Sequence, residues 1–162
     1  MNHFSKTQVG ISVVEIVVVS GIVSLLFAGM FQLVVLTNRP IKQGIREAEA
    51  TYLAEEAIET VKVLRNDGWA TNIAPLTNGT TYYSTLSGSD WTLTTTDPGP
   101  INNQYSRTIV VEEVYRDTND DIASTGTLDV KTKKVTATVT WSEHGSTESV
   151  TLETYITNFR DT

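Results

Sequence analysis

The chain has no cysteine, only two histidines and only four prolines in 162 residues. Without cysteine it has no disulfide framework, no thiolate metal site and no cysteine nucleophile. His3 and His144 are too few to build a histidine-rich metal centre or a Ser-His-Asp arrangement. Basic charge is also scarce. Lys plus Arg total 12 against 19 Asp plus Glu, so the formal charge is -7 and the pI about 4.7. No cationic excess exists to release counterions from a phosphate backbone, and no direct nucleic-acid binding is expected. No nucleophile–base pair, Gly-rich phosphate loop or dense set of metal ligands is visible, so an enzyme is not expected either.

What is present falls into two unlike halves. Residues 16–36 read IVVVSGIVSLLFAGMFQLVVL and carry no charge. At about 1.5 Å per residue this run spans about 30 Å, the thickness of the hydrocarbon core of a bilayer. A secretory signal has a shorter apolar core, about 7–15 residues, and a small-residue cleavage site. Here the run is longer and ends without an Ala-x-Ala pattern. A helix spanning the lipid bilayer is the expectation.

Glu15 complicates the plain anchor. It stands at the edge of the run, behind Ile11, Ser12, Val13 and Val14, which themselves suit a membrane. A carboxylate in lipid costs about 2.5–3.5 kcal/mol on insertion scales and calls for a partner. No Lys or Arg lies between Lys6 and Arg39. Cleavage after Gly10 would create one, since Ile11 would then carry a free ammonium one helical turn from Glu15. In a packed assembly a neighbour's ammonium could lie closer still, and Glu15 would act as recruiter and register mark, as buried polar groups do in coiled coils. The alternative is a carboxylate at the headgroup boundary with no role, and on physical grounds the two stand level.

The segment Gly10-Ile11-Ser12-Val13-Val14-Glu15-Ile16-Val17-Val18-Val19 resembles the cleavage and methylation motif of type IV prepilins. That family, which includes the pseudopilins of type II secretion and DNA uptake, places a Gly before an apolar residue, then Ser or Thr, two aliphatics, a Glu and a long apolar helix. The resemblance covers residues 6 to about 36. Ile11 stands where Phe is commonest. The resemblance implies cleavage between Gly10 and Ile11 by prepilin peptidase and N-methylation of Ile11. It implies a single-pass protein of the bacterial cytoplasmic (inner) membrane, with its C-terminal domain outside the cytoplasm and a place in a cell-surface filament after assembly. The implied partners are the peptidase, other pilin or pseudopilin subunits and an inner-membrane assembly platform. Loss of the leader, whose one charged side chain is Lys6, takes the formal charge from -7 to -8. Charge counting alone leaves the orientation open, because Arg39, Lys42 and Arg46 follow the span. Gly21 and Gly29 lie inside the run, where small residues let helices approach, but their spacing of eight is not that of GxxxG.

Beyond the span, Pro40 is expected to bend or interrupt the helix. Ile45, Ala50, Ala54, Ala57, Val61 and Leu64 then recur at spacings near three and four. Glu47, Glu49, Glu55, Glu56, Glu59 and Lys62 fill the other faces. This predicts an amphipathic helix over about 41–66, stopped near Gly68. From Trp69 the composition turns to Thr, Ser, Val, Tyr and Gly, with turn signals at Asn78-Gly79, Ser87-Gly88, Asp97-Pro98-Gly99-Pro100 and Ser124-Thr125-Gly126. Strands are predicted over 82–86, 91–95, 106–115, 135–141 and 150–156, the last two as a hairpin around His144-Gly145-Ser146. Val135, Ala137, Val139 and Trp141 should share a buried face. Trp69, Trp91 and Trp141 read as core or sheet-face aromatics.

The expected fold class is α+β, a long, partly transmembrane N-terminal helix packed on a small antiparallel sheet, which is also what the pilin resemblance implies. The organisation is a leader at 1–10, a transmembrane or filament-core helix at 11–38, an amphipathic helix at 39–68 and a sheet domain at 69–162.

One loop has metal-ligand spacing. Asp117, Asn119 and Asp121 alternate as in the opening of an EF-hand, with Asp129 further on. The pattern is incomplete, since no Gly follows Asp121 and Leu128 stands at the twelfth position. The loop is therefore a candidate for Ca²⁺ or a solvated turn. No other cofactor is expected. The leading function is a structural filament subunit, a minor pilin or pseudopilin, with Glu15 paired to a neighbour's N-terminal amine. The alternative is a membrane-tethered surface binding domain that does not polymerise.

Overall fold

The structure is a computed structural model that describes residues 12–143 and 145–159; the side chains of 35–41 are not described. The chain divides into two compact units, Met1–Gly44 and Ile45–Thr162. One helix, α1 (Val13–Asp67), contributes to both. Pro40 does not end it. A proline deletes one N–H from the ladder but leaves the bonds on either side, so the element continues through it.

In the first unit, Val13–Val34 is long and apolar enough to cross a membrane, and none of it is buried within the protein. These 22 residues rise about 33 Å as a helix.

In the second unit, α1 lies on an antiparallel sheet. The strands are β1 (Thr81–Ser87), β2 (Asp90–Thr94), β3 (Tyr105–Arg116), β4 (Ile122–Ala123), β5 (Thr127–Glu143) and β6 (Ser146–Thr157). Their order is β2-β1-β3-β5-β6, with β4 paired to the end of β3. The α+β class is as expected. The helix buries Ala50, Ala54, Ala57, Ile58, Val61 and Leu64 against Ile109, Val111, Val135, Ala137, Val139, Trp141 and Ile156. The recurrence of small and aliphatic residues every third or fourth position makes that stripe. Ala50, Ala54 and Ala57 are all at 0% exposure, so the sheet covers the small-residue stripe of the helix completely. Val135, Ala137, Val139 and Trp141 do share the inner face, as the alternation predicted.

Two features departed from the predicted strands. β5 begins eight residues earlier than expected, at Thr127. A register shift between Glu113 and Val114 on β3 breaks the period-two pattern of the paired strand, which hides the early part of β5 from an alternation argument. After α1, Trp69–Ile73 forms a π-helical turn in what was predicted to be the start of the sheet region. Asn72 Nδ2 donates to the Leu64 carbonyl at 3.0 Å and so caps the helix end.

Polar ties cross the helix–sheet seam. The Tyr105 hydroxyl donates to Glu49 Oε2 at 2.6 Å. Arg107, whose side chain is 7% exposed, reaches the Leu53 carbonyl at 3.3 Å and Glu56 Oε1 at 3.2 Å. Arg46 meets Glu143 at 3.4 Å, and Trp141 Nε1 donates to the same carboxylate at 3.3 Å. Tyr105 and Trp141 contact edge to face, with ring centroids 6.1 Å apart.

Burial, reinforced by the bond to Glu49, pushes the Tyr105 hydroxyl up to about 12. The fold holds the neutral phenol. Its contribution is therefore complete below about pH 10, the ordinary phenol value, and drains away as pH rises toward 12. In an alkaline unfolding series of the full chain in detergent, wild type should lose stability more steeply between pH 10 and 12 than Tyr105→Phe. That variant should itself be about 1–2 kcal/mol less stable at pH 7. Ala54→Leu should cost about 1–3 kcal/mol in the same urea-midpoint measurement, because the added bulk meets the sheet with no room to repack.

Candidate functional site

Two sites were legible in the sequence, and they differ in kind. The first is the head of α1. Gly10 and Ile11, the expected cleavage and methylation positions, lie outside the described residues. Ser12 is the residue before the helix. Its carbonyl accepts the first bonds of α1, from the Glu15 N–H at 3.0 Å and the Ile16 N–H at 3.2 Å. Ser12 thus stands at the N-cap position and Glu15 at N3. Ser-x-x-Glu before an apolar run is the pattern of a capping box, a reading the sequence analysis passed over. A carboxylate in the first turn also meets the positive end of the helix dipole. Glu15 stands in the first turn of α1, at the start of the exposed span.

Below Glu15 the span has few polar groups. The Ser20 hydroxyl donates to the Val17 carbonyl at 2.9 Å, and Ser24 donates to the Ser20 carbonyl at 2.8 Å. Both are satisfied within their own helix. Exposed around them are Val14, Ile16, Val17, Leu25, Leu26, Phe27 and Phe31. A surface this apolar on every side is compatible with lipid or with other apolar helices.

The second site is the loop after β3. Asp117 Oδ1 accepts the backbone N–H of Asn119 at 2.8 Å and of Asp121 at 3.0 Å. The Asp117 N–H in turn donates to the Asp121 carbonyl at 2.9 Å. Asn119 and Asp121 thus give Asp117 their amides, and Asp117 acts as the acceptor that closes an Asx-type turn. Arg116, which sequence reasoning passed over, organises the rest. Its Nε lies 2.8 Å from Asp129 Oδ2, and its Nη1 donates to the Asp120 carbonyl at 2.7 Å. The bond from Arg116, ahead of the smaller effects, holds the Asp129 carboxyl below its usual range. The signal in the sequence was an arginine immediately before an acidic run. Gly126, at φ 145, lies against the Arg116 carbonyl, and a Cβ there would collide with it. Among the described residues, no group of three or more His, Cys, Asp or Glu side chains is arranged to hold a metal ion.

No family model, no curated protein and no solved structure matches the chain.

The loop geometry generates a specific expectation. Asp117→Ala removes an acceptor of two backbone bonds and should lower stability by about 1 kcal/mol. Adding millimolar Ca²⁺ should leave the wild-type Tm where it is, because Asp117 and Asp129 are already engaged. A Tm gain with Ca²⁺ that Asp117→Ala abolishes would instead establish the loop as a cation site.

Proposed function

We propose that the chain is a structural subunit of a type IV pilus or of a type II secretion-like pseudopilus, in the manner of a minor pilin. The observation that carries this reading is the association of three features on one chain. They are the Gly10-Ile11-Ser12-Val13-Val14-Glu15 sequence, a 22-residue apolar helix with none of its surface buried inside the protein, and a separate soluble unit in which the continuing helix is covered by an antiparallel sheet. A soluble protein has no use for an uncovered apolar helix, and a carboxylate at the head of a membrane-spanning helix calls for a partner.

In this reading prepilin peptidase cuts between Gly10 and Ile11, and Ile11 is N-methylated. The subunit waits in the cytoplasmic membrane with its C-terminal unit outside the cytoplasm. An inner-membrane assembly platform then moves it into a filament whose centre is made of apolar helices. Glu15 pairs with the N-terminal amine of a neighbouring subunit, so the desolvated carboxylate and the desolvated ammonium meet each other's need. The chemistry lies in recognition and packing, and no catalytic group is required.

The test is the mass of the mature N-terminal peptide after co-expression with a prepilin peptidase. A peptide beginning at Ile11, absent in Gly10→Ala, is the expected result. Glu15→Ala should be cleaved as wild type is and should fail to enter filaments. An intact Met1 terminus in the presence of active peptidase would replace the filament reading with that of a membrane-tethered surface domain.

A further inference from the structure

The turn Asn78-Gly79 carries a chemistry that neither the membrane span nor the acidic loop uses. In an Asn-Gly pair the Gly amide nitrogen, once it has given its proton to water, adds to the Asn side-chain carbonyl carbon. Ammonia leaves as a cyclic succinimide forms, and water then opens the ring to aspartate or isoaspartate. Glycine hinders this attack least, since it has no Cβ, and Asn is among the thermolabile residues of proteins. Asn78 and Gly79 are both exposed, so water reaches the turn.

The fold engages both reacting groups elsewhere. The Gly79 N–H, whose proton must leave, donates to the Val111 carbonyl at 2.9 Å. Asn78 Oδ1, on the carbon that must be attacked, accepts the Glu113 N–H at 2.8 Å. Both bonds run to β3 and hold the turn against that strand. The Thr80 N–H closes the turn on the Thr77 carbonyl at 3.2 Å, and Gly79 takes φ 71, as the third residue of a type II turn requires. The Thr77 N–H donates to the Tyr82 hydroxyl at 2.8 Å, which ties the entry of the turn to a buried side chain of β1.

The turn belongs to a short junction. After it, β1 meets β3 at two residue pairs, Thr81–Val110 and Tyr82–Ile109, and then pairs with β2. The two bonds of the turn extend the attachment of the β1–β2 hairpin past its last ladder pair. They also couple the chemistry to that attachment, because the Gly79 nitrogen reaches the Asn78 side-chain carbon only after both have parted. We infer that Asn78 is a self-modification site that the β1–β3 junction keeps closed, so that each opening of the junction exposes it to conversion. The isoaspartate product routes the backbone through Cβ and Cγ of residue 78 and so adds a carbon to the main chain. The lengthened turn no longer matches the span between the Val111 carbonyl and the Glu113 N–H, and the junction does not close again as before. Conversion is therefore one-way. The inference does not depend on the filament reading or on the membrane span.

The experiment is incubation of the full-length chain in mild detergent at mildly alkaline pH, with and without denaturing urea. Aspartate and isoaspartate at position 78 are separated and quantified by peptide mass mapping. Conversion in the folded chain should run about ten- to a hundredfold slower than in urea, because two bonds must part together before the attack. Tyr82→Phe removes the acceptor of the Thr77 N–H. It should speed conversion in the folded chain by about threefold or more and leave the rate in urea unchanged. Hydrogen exchange of the Gly79 amide should quicken in that variant by the same factor. Equal rates with and without urea, or no product even in urea, would overturn the inference. So would a Tyr82→Phe chain whose Gly79 amide exchanges faster while its conversion keeps the wild-type rate.

Discussion

The unit Ile45–Thr162 depends on how completely one sheet covers one face of one helix. Ala50, Ala54 and Ala57 are fully buried on that face, in one core with the aliphatic residues of β3 and β5. Dispersion rewards tight contact there, since a gap of about 0.5–1 Å already forfeits a quarter to a half of it. The polar ties at the seam are secondary to it. Tyr105 reaches Glu49, and Arg107 reaches Glu56 and the Leu53 carbonyl, because the helix already stands at the right height. They fix where along the sheet the helix rests, a choice that a smooth apolar surface leaves loosely specified.

The apolar unit obeys the opposite economy. Its side chains make no core, and its few polar groups have to be met inside the helix or by another molecule. Ser20 and Ser24 show the first solution, through bonds to the preceding turn. The same α1 therefore carries an uncovered apolar stretch in one unit and a stripe covered by the sheet in the other.

Much of this was open to reading from the residues. The uncharged run from Ile16, the stripe from Ala50 to Leu64 and the alternation from Val135 to Trp141 are periodic signals, and each names its own environment. The β5–β6 pairing followed from the turn residues between the strands. What stayed hidden was non-local or aperiodic. The Tyr105–Glu49 bond joins residues 56 positions apart, and no local pattern announces it. The register shift at Glu113/Val114 scrambles the face assignment of the early part of β5, so Thr127 to Lys134 did not look like a strand. In the Asp117 loop, carboxylate spacing drew attention while Arg116 beside it set the arrangement. The spacing could show which groups lie near each other, but not that backbone amides would claim Asp117.

The position of Ile156 in the core has a consequence for how the chain is made. The first core residue of the helix, Ala50, and this residue of β6, Ile156, are both almost completely buried, and they mark the two ends of the soluble unit. Synthesis delivers them in that order. At about 5–20 residues per second, roughly 5–20 seconds separate the appearance of the helix stripe from that of the last strand that helps to cover it. During this interval the Ala-lined face exists without its sheet, directly behind a segment even more apolar than itself. Until Ile156 is delivered the Ala-lined face lacks part of its cover, so the helix stripe exists well before the layer that buries it is complete.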